Sequence, residues 1–381
     1  MSSKPETSPE IAETGARTPL LRVQNLKMHF PITKGVLYRQ VGTVRAVDDV
    51  SFEVYEGEVF GLVGESGCGK TTTGRCITRV LTPTAGSILY RLKDGTEVDL
   101  SSTHQRDLKR YRREIRMIFQ DPFASLNPRL PVIEIVGEVL KVNKLMERAE
   151  IRERARSLLE YVGLRPEYLE RYPHAFSGGE RQRVGIARAL APEPRLVVAD
   201  EAVSALDVSI QAQTVNLLQD LQADFGLTYI FIAHDLSVVE HICDRIGVMY
   251  VGKLVETGTK DDVFASPAHP YSEALLSAVP KPDPRLRGRG NRVRLPGDVA
   301  DPSNPPSGCY FHPRCPYAQE ICKHEEPLLK DHEVSPGHFS ACHFAEELAL
   351  KGVLPPAQAD NTRSDSVEQS VEDGADTGGR E

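Results

Sequence analysis

The segment Gly64-Glu65-Ser66-Gly67-Cys68-Gly69-Lys70-Thr71-Thr72 constrains this chain more than any other feature. It follows an apolar run at 59–63 that reads as a buried strand and precedes a stretch at 70–80 that reads as a helix. In that setting glycines let successive backbone N–H groups curl around the β- and γ-phosphates of a nucleotide, at the positive end of the helix. Lys70 then neutralises phosphate charge, and the Thr71 hydroxyl can ligate Mg²⁺. In a chain of 381 residues the pattern arises by chance on the order of once in a hundred. Cys68 reads as a small loop residue.

A nucleotide loop needs a second acidic site for metal and water. Leu196-Val197-Val198-Ala199-Asp200-Glu201 supplies one, because a buried apolar strand ending in two carboxylates puts Asp200 near Mg²⁺ and Glu201 toward the attacking water. Runs at 115–119, 229–233 and 246–251 also read as strands. Residues 211–224 read as a helix with Val215, Leu217, Leu218 and Leu221 on one face. Short apolar runs alternating with amphipathic stretches mark an α/β domain whose strands are covered by helices. Between 121 and 173 no strand stands out. Residues 131–140 and 151–162, the latter with Ala155, Leu158, Leu159 and Val162 at helical spacing, predict a helical insertion.

Composition narrows the class. The longest unbroken apolar run is 229–233, far short of the roughly 18–20 residues a membrane-spanning helix needs. The Ser/Pro/Glu-rich start has no signal-peptide core. Seven cysteines without a secretion signal suggest a reducing compartment, with thiols or metal ligands instead of a disulfide framework. The net charge is -8, but the tail from Ala357 holds seven acids against two bases, so the remainder is nearly neutral. That balance argues against a bulk nucleic-acid binder. Residues 1–18 and 355–381 are too poor in apolar side chains to offset ordering entropy and are expected to be disordered.

Between the two nucleotide motifs lies Phe176-Ser177-Gly178-Gly179-Glu180-Arg181-Gln182-Arg183. The octet resembles the signature motif of ABC transporter ATP-binding subunits, with Phe for the usual Leu and Glu for the usual Gln. Gln120 in Ile118-Phe119-Gln120-Asp121-Pro122 resembles that family's Q-loop, Ser204-Ala205-Leu206-Asp207 its D-loop, and His234 in Ile232-Ala233-His234-Asp235 its switch histidine. The resemblance implies a P-loop NTPase cassette over 19–264, with a RecA-like α/β core, an antiparallel β subdomain and a helical subdomain at 121–173. It also implies that two cassettes close head to tail. Each ATP then lies between the phosphate loop of one and Ser177, Gly178, Gly179 and Glu180 of the other. In that scheme Glu201 orients or deprotonates the water, His234 keeps Glu201 and the γ-phosphate in register, and Gln120 joins Thr71 and Asp200 at Mg²⁺. Ala202 replaces a frequent Pro. Val41 stands where an adenine-stacking aromatic is usual, which leaves Tyr38 and Phe30 as candidate stackers.

Two further stretches, Gln-Asp-Pro-Phe-Ala-Ser-Leu-Asn-Pro-Arg at 120–129 and Ser-Pro-Ala-His-Pro-Tyr-Ser-Glu-Ala-Leu at 266–275, are similar to ATPase subunits of oligopeptide and dipeptide importers. Those subunits carry a C-terminal extension, here 265–346, and in it sit Cys309, Cys315, Cys322 and Cys342. Four thiolates suit a soft metal centre, either a 4Fe–4S cluster or Zn²⁺, with unligated thiols as the plain alternative. The spacing is not a zinc-ribbon pair, and the resemblance favours the four-iron cluster. Cys76 and Cys243 read as packing residues.

The same resemblance implies a second ATPase subunit in a heterodimer, two membrane permease subunits contacted through the helical insertion, and an external substrate-binding protein acting indirectly. It implies no nucleic-acid partner and a peripheral position on the cytoplasmic face of the bacterial inner membrane. Similar subunits serve nickel, opines or oligosaccharides. A soluble ABC ATPase acting on ribosomes or DNA is a remoter alternative, because neither a second cassette nor a long coiled-coil insertion is seen.

Overall fold

The computed structural model describes residues 18–35, 38–279, 293, 295–333 and 335–353. Apart from Thr18, the ends expected to be disordered lie outside the described residues. Strands β1 (Pro19–Lys34) and β2 (Arg39–Tyr55) form a long antiparallel hairpin with Phe30 opposite Val44. Strand β3 (Val59–Val63) then enters the core with every residue buried, so it reads as a continuous apolar run and not an alternating one. After helix α1 (Lys70–Ile77), β4 (Ala85–Arg91) and β5 (Glu97–Asp99) complete a four-stranded sheet in the order β2-β1-β4-β5. Helix α1 stops at Ile77, short of the predicted 80. Arg79 turns left-handed at φ 55° and its N–H returns to the Cys76 carbonyl.

Helix α2 (Leu108–Glu114) leads into β6 (Ile115–Ile118). Regular structure from there to β7 (Leu196–Asp200) is helical: α3 (Val132–Val142), α4 (Arg148–Tyr161), two short 3₁₀ turns and α5 (Gly178–Leu190). Val136, Leu140, Ala155, Leu158, Leu159 and Val184 from these helices share one buried cluster with β7. The chain continues through α6 (Val208–Phe225), β8 (Thr228–Ala233), α7 (Leu236–Ile242), β9 (Arg245–Tyr250) and β10 (Lys253–Thr259). Gly226 ends α6 in a left-handed conformation at φ 62°, a geometry glycine adopts without a Cβ penalty. Strand β9 stops one residue before the predicted end, because Val251 itself turns left-handed (φ 43°) into β10.

Helices α8 (Lys260–Ala265), α9 (Pro270–Ser277) and α10 (Ile321–His324) and strands β11 (Lys330–Asp331) and β12 (Phe339–Ser340) form the C-terminal region. That region is built into the core. The large sheet has eight strands in the order β11-β12-β10-β9-β3-β8-β7-β6, and β12 pairs with β10 through Ser340 opposite Glu256. Glu256 is wholly buried, and its carboxylate accepts from the amides of Ala268 (2.7 Å) and His269 (2.9 Å) and bonds His338 Nε2 at 2.7 Å. A buried carboxylate persists only with such partners. Among the described residues no helix is long and apolar enough to cross a membrane.

Candidate active site

Strands β6, β7, β8, β3 and β9 run parallel, so the loops at their C-terminal ends gather on one edge, where open α/β sheets bind ligands. The loop after β3 is the phosphate cradle. Gly64, Gly67 and Gly69 have φ of 148°, 82° and 106°. A Cβ at Gly64 would collide with the Met249 carbonyl and one at Gly69 with the Ala46 carbonyl, so both positions require glycine. Ser66 and Gly67 form the exposed crest, while Cys68 is buried and burial pushes its thiol pKa up, which leaves it unreactive. Lys70 Nζ folds onto the carbonyls of Gly64 (2.7 Å) and Glu65 (3.0 Å). Its ammonium thus lies within the loop that would receive phosphate. Thr72 is half-buried in the first turn of α1.

The Thr71 hydroxyl donates to Asp200 Oδ1 at 2.7 Å, joining the helix start to the end of β7. Asp200 is 1% exposed, and burial holds its carboxyl above the usual range although Thr71 pulls the other way. Two hard oxygens side by side, a hydroxyl and a carboxylate, fit Mg²⁺. Glu201 follows at φ 46°, with its N–H bonded to the Ile232 carbonyl of β8 at 2.9 Å. A left-handed non-glycine residue costs about 1–3 kcal/mol and gathers at functional sites. The Glu201 carboxylate accepts from Gln120 Nε2 at 2.7 Å and lies 3.4 Å from His234 Nδ1. Loops after β6, β7 and β8 therefore bring Gln120, Glu201 and His234 together.

Ser177 caps α5. Glu180 accepts from the Ser177 N–H and hydroxyl, both at 2.8 Å, and those bonds hold the Glu180 carboxyl below the usual carboxylate range. Open space faces Gly178, whereas a Cβ at Gly179 would press on Ile210. Among the described residues no hydrogen bond joins Ser177–Glu180 to the phosphate loop of the same chain. Phe176 is buried against Tyr168, their ring centroids 5.5 Å apart, which accounts for an aromatic at that place. Asp207 occupies the position just before α6, and its side chain makes no cap hydrogen bond there. Tyr38 stands at the hairpin turn, 77% exposed, and Val41 is exposed as well.

Two residues that motif reading missed touch the loop. The Glu65 N–H donates to the Tyr271 hydroxyl at 2.8 Å, and Arg314 grips the Glu65 carboxylate through Nη1 (2.9 Å) and Nη2 (3.3 Å). Tyr271 lay inside a stretch already quoted for its family likeness, while nothing local marked Arg314. Cys309, Cys315, Cys322 and Cys342 line one small apolar pocket with Phe311 and Phe344. Burial pushes Cys309 and Cys315 up to about 11 and Cys342 up to about 12, and the neighbouring thiols add to it. Among the described residues no three His, Cys, Asp or Glu side chains are grouped as a metal-ion ligand set.

Residues 47–204 match the ABC transporter family, and 255–322 match the C-terminal region of oligopeptide/dipeptide transporters. The chain is 50% identical over 325 residues to the oligopeptide transport ATP-binding protein AppF of Bacillus subtilis, covering 85% of this chain and 97% of that one. It is 51% identical over 336 residues to the putative oligopeptide transport ATP-binding protein YkfD of the same organism, covering 88% and 98%. The ATP-binding cassette MJ0796, solved as a post-hydrolysis dimer with ADP and Pi, matches with a TM-score of 0.55 at 27% identity over 63% of this chain and 98% of that one. This chain belongs to the ABC transporter ATP-binding family. It is an ATPase with the P-loop cassette fold.

Proposed function

We propose that this chain is the ATP-hydrolysing subunit of an importer for oligopeptides or dipeptides, seated on the cytoplasmic face of the bacterial inner membrane. The observation that carries this reading is half-identity to oligopeptide transport ATP-binding proteins across most of the chain, C-terminal region included. Two permease subunits and a second, different ATPase subunit are its partners, and an external binding protein delivers the peptide.

The geometry supports a route from chemistry to motion. The loop amides and Lys70 hold the β- and γ-phosphates, while Thr71, Asp200 and Gln120 would hold Mg²⁺, which when bound neutralises charge between the phosphates. Glu201, fixed by Gln120 and facing His234, takes a proton from the attacking water or aligns it, a role worth about 10²–10⁴ in rate. His234 holds Glu201 and the γ-phosphate in register. Ser177, Gly178 and Gly179, unbonded to their own phosphate loop, face the ATP of the partner cassette, with Asp207 beside the same interface. ATP thus closes the two cassettes and hydrolysis releases them.

The test is a Glu201→Gln chain in the assembled transporter. ATP binding is expected to persist while turnover falls at least about a hundredfold and labelled-peptide uptake stops. Turnover at the unmodified rate would remove Glu201 from the mechanism. Normal peptide uptake in a deletion strain that has lost nickel or oligosaccharide uptake would replace the substrate class.

The four cysteines support a soft metal centre, and we assign it as a 4Fe–4S cluster. Four cysteine sulfurs lining one apolar pocket are the side chains that iron–sulfur chemistry uses, and loading would have to draw them together and deprotonate them, because as described they do not form a ligand set. Iron and sulfide in anaerobically purified protein are expected, and zinc alone would overturn the assignment.

A further inference from the structure

We propose that the C-terminal region is part of the ATP site, with Arg314 and Tyr271 as positioning residues that hold the phosphate loop in its nucleotide-receiving shape from outside. The proposal rests on the ATPase reading above. Lys70 bonds the inner face of the loop at the Gly64 and Glu65 carbonyls, and those bonds must be exchanged when phosphate enters. The outer face is bonded independently. The Tyr271 hydroxyl accepts from the Glu65 N–H, Arg314 forks onto the Glu65 carboxylate, and the Gly252 N–H donates to the Cys68 carbonyl at 2.9 Å. A loop held only by Lys70 would relax as that lysine turned to the ligand. One held from behind stays open, which lowers the ordering cost of binding.

The holding groups are themselves fixed. The Arg314 side chain is 9% exposed, and Tyr271 is wholly buried. Tyr271 packs on Tyr250 (ring centroids 4.7 Å apart) and on Phe311 (5.4 Å), and Phe311 also meets Tyr250 edge-on at 5.2 Å. Tyr250 ends β9, next to the Val251–Gly252 turn that supplies the third bond. A bidentate guanidinium–carboxylate pair fixes orientation as well as distance, which a flexible ammonium does not.

The experiment compares the full chain carrying Arg314→Gln, Arg314→Lys or Tyr271→Phe with the unmodified chain. It reads ATP dissociation constant and urea midpoint, then KM and kcat in the assembled transporter. Arg314→Gln is expected to raise both Kd and KM for ATP about tenfold with kcat within about twofold, the signature of lost ground-state preorganisation. Arg314→Lys should fall between. A lowered urea midpoint with unchanged ATP affinity would make the pair a mere staple and overturn the proposal. Should Arg314→Gln fail to fold, Tyr271→Phe removes only the hydroxyl that takes the Glu65 N–H. An unchanged KM in that variant overturns the proposal equally. Failure of the unmodified chain to bind ATP would sink the ATPase reading instead, so the two failures are distinct.

Discussion

Glu256 offers a stability test whose size follows from the structure. Its carboxylate is the only hydrogen-bond acceptor described for the amides of Ala268 and His269 and for His338 Nε2, and all three residues are at most 4% exposed. Glu256→Ala leaves these donors buried without a partner, at about 1–3 kcal/mol each, and opens a cavity besides. We expect a loss of about 4–6 kcal/mol, a large part of the roughly 5–15 kcal/mol that holds a domain folded. Glu256→Gln keeps one carbonyl acceptor and turns an NH₂ toward the remaining donors, so about 2 kcal/mol should go. Urea denaturation of the full chain measures both, and native-state hydrogen exchange localises the effect to the Ala268 and His269 amides. A Glu256→Ala chain within about 1 kcal/mol of the unmodified protein would refute the idea that this carboxylate fastens the C-terminal region to β10.

His269 gives a pH dependence. Burial pushes its pKa from 6.5 down to about 4, against the pull of Glu256, and its neutral Nδ1 accepts from the Tyr271 N–H at 3.0 Å. Because the folded value lies below the unfolded one, the stability is complete above pH 6.5 and drains as pH falls toward 4. About 2 kcal/mol should go between pH 7 and 5. His269→Asn, which keeps a capping oxygen and cannot titrate, should flatten that part of the urea-midpoint profile; an unchanged slope would contradict the assignment. Gly69→Ala should abolish ATP binding, because its Cβ meets the Ala46 carbonyl at φ 106°. Wild-type affinity there, measured by nucleotide titration, would contradict the cradle geometry. Gln120→Ala removes the hydrogen bond described to the Glu201 carboxylate together with one proposed Mg²⁺ ligand, and is expected to lower kcat about tenfold or more by steady-state assay.

The candidate nucleotide site can be read from the sequence because each of its demands is local. Gly64 and Gly69 are needed for backbone shape, Lys70 and Thr71 follow at once in sequence, and β7 delivers Asp200 and Glu201 as neighbours. Periodicity placed the buried strands because all residues of β3, β7 and β8 are covered on both faces. Where reading failed, the partners are far apart in sequence. Arg314 lies 249 residues from Glu65, and His338 lies 82 from Glu256. A strand as short as β12 has no period to detect. Glu256 in β10 looks like a solvent-facing residue until its donors arrive.

These missed contacts all join the C-terminal region to the core, and they alter what that region is. The turn carrying Arg314 is closed by backbone bonds from Cys309 N–H to the Cys322 carbonyl (2.9 Å), Arg314 N–H to the Phe311 carbonyl (3.0 Å) and Cys315 N–H to the His312 carbonyl (3.3 Å). Cys309, Cys315 and Cys322 all belong to the cysteine pocket, and Phe311 belongs both to that pocket and to the aromatic packing behind the phosphate loop. A close-packed interior transmits displacement instead of absorbing it. In that packing the Arg314 fork, which holds Glu65, shares one turn and the Phe311 ring with the cysteine pocket.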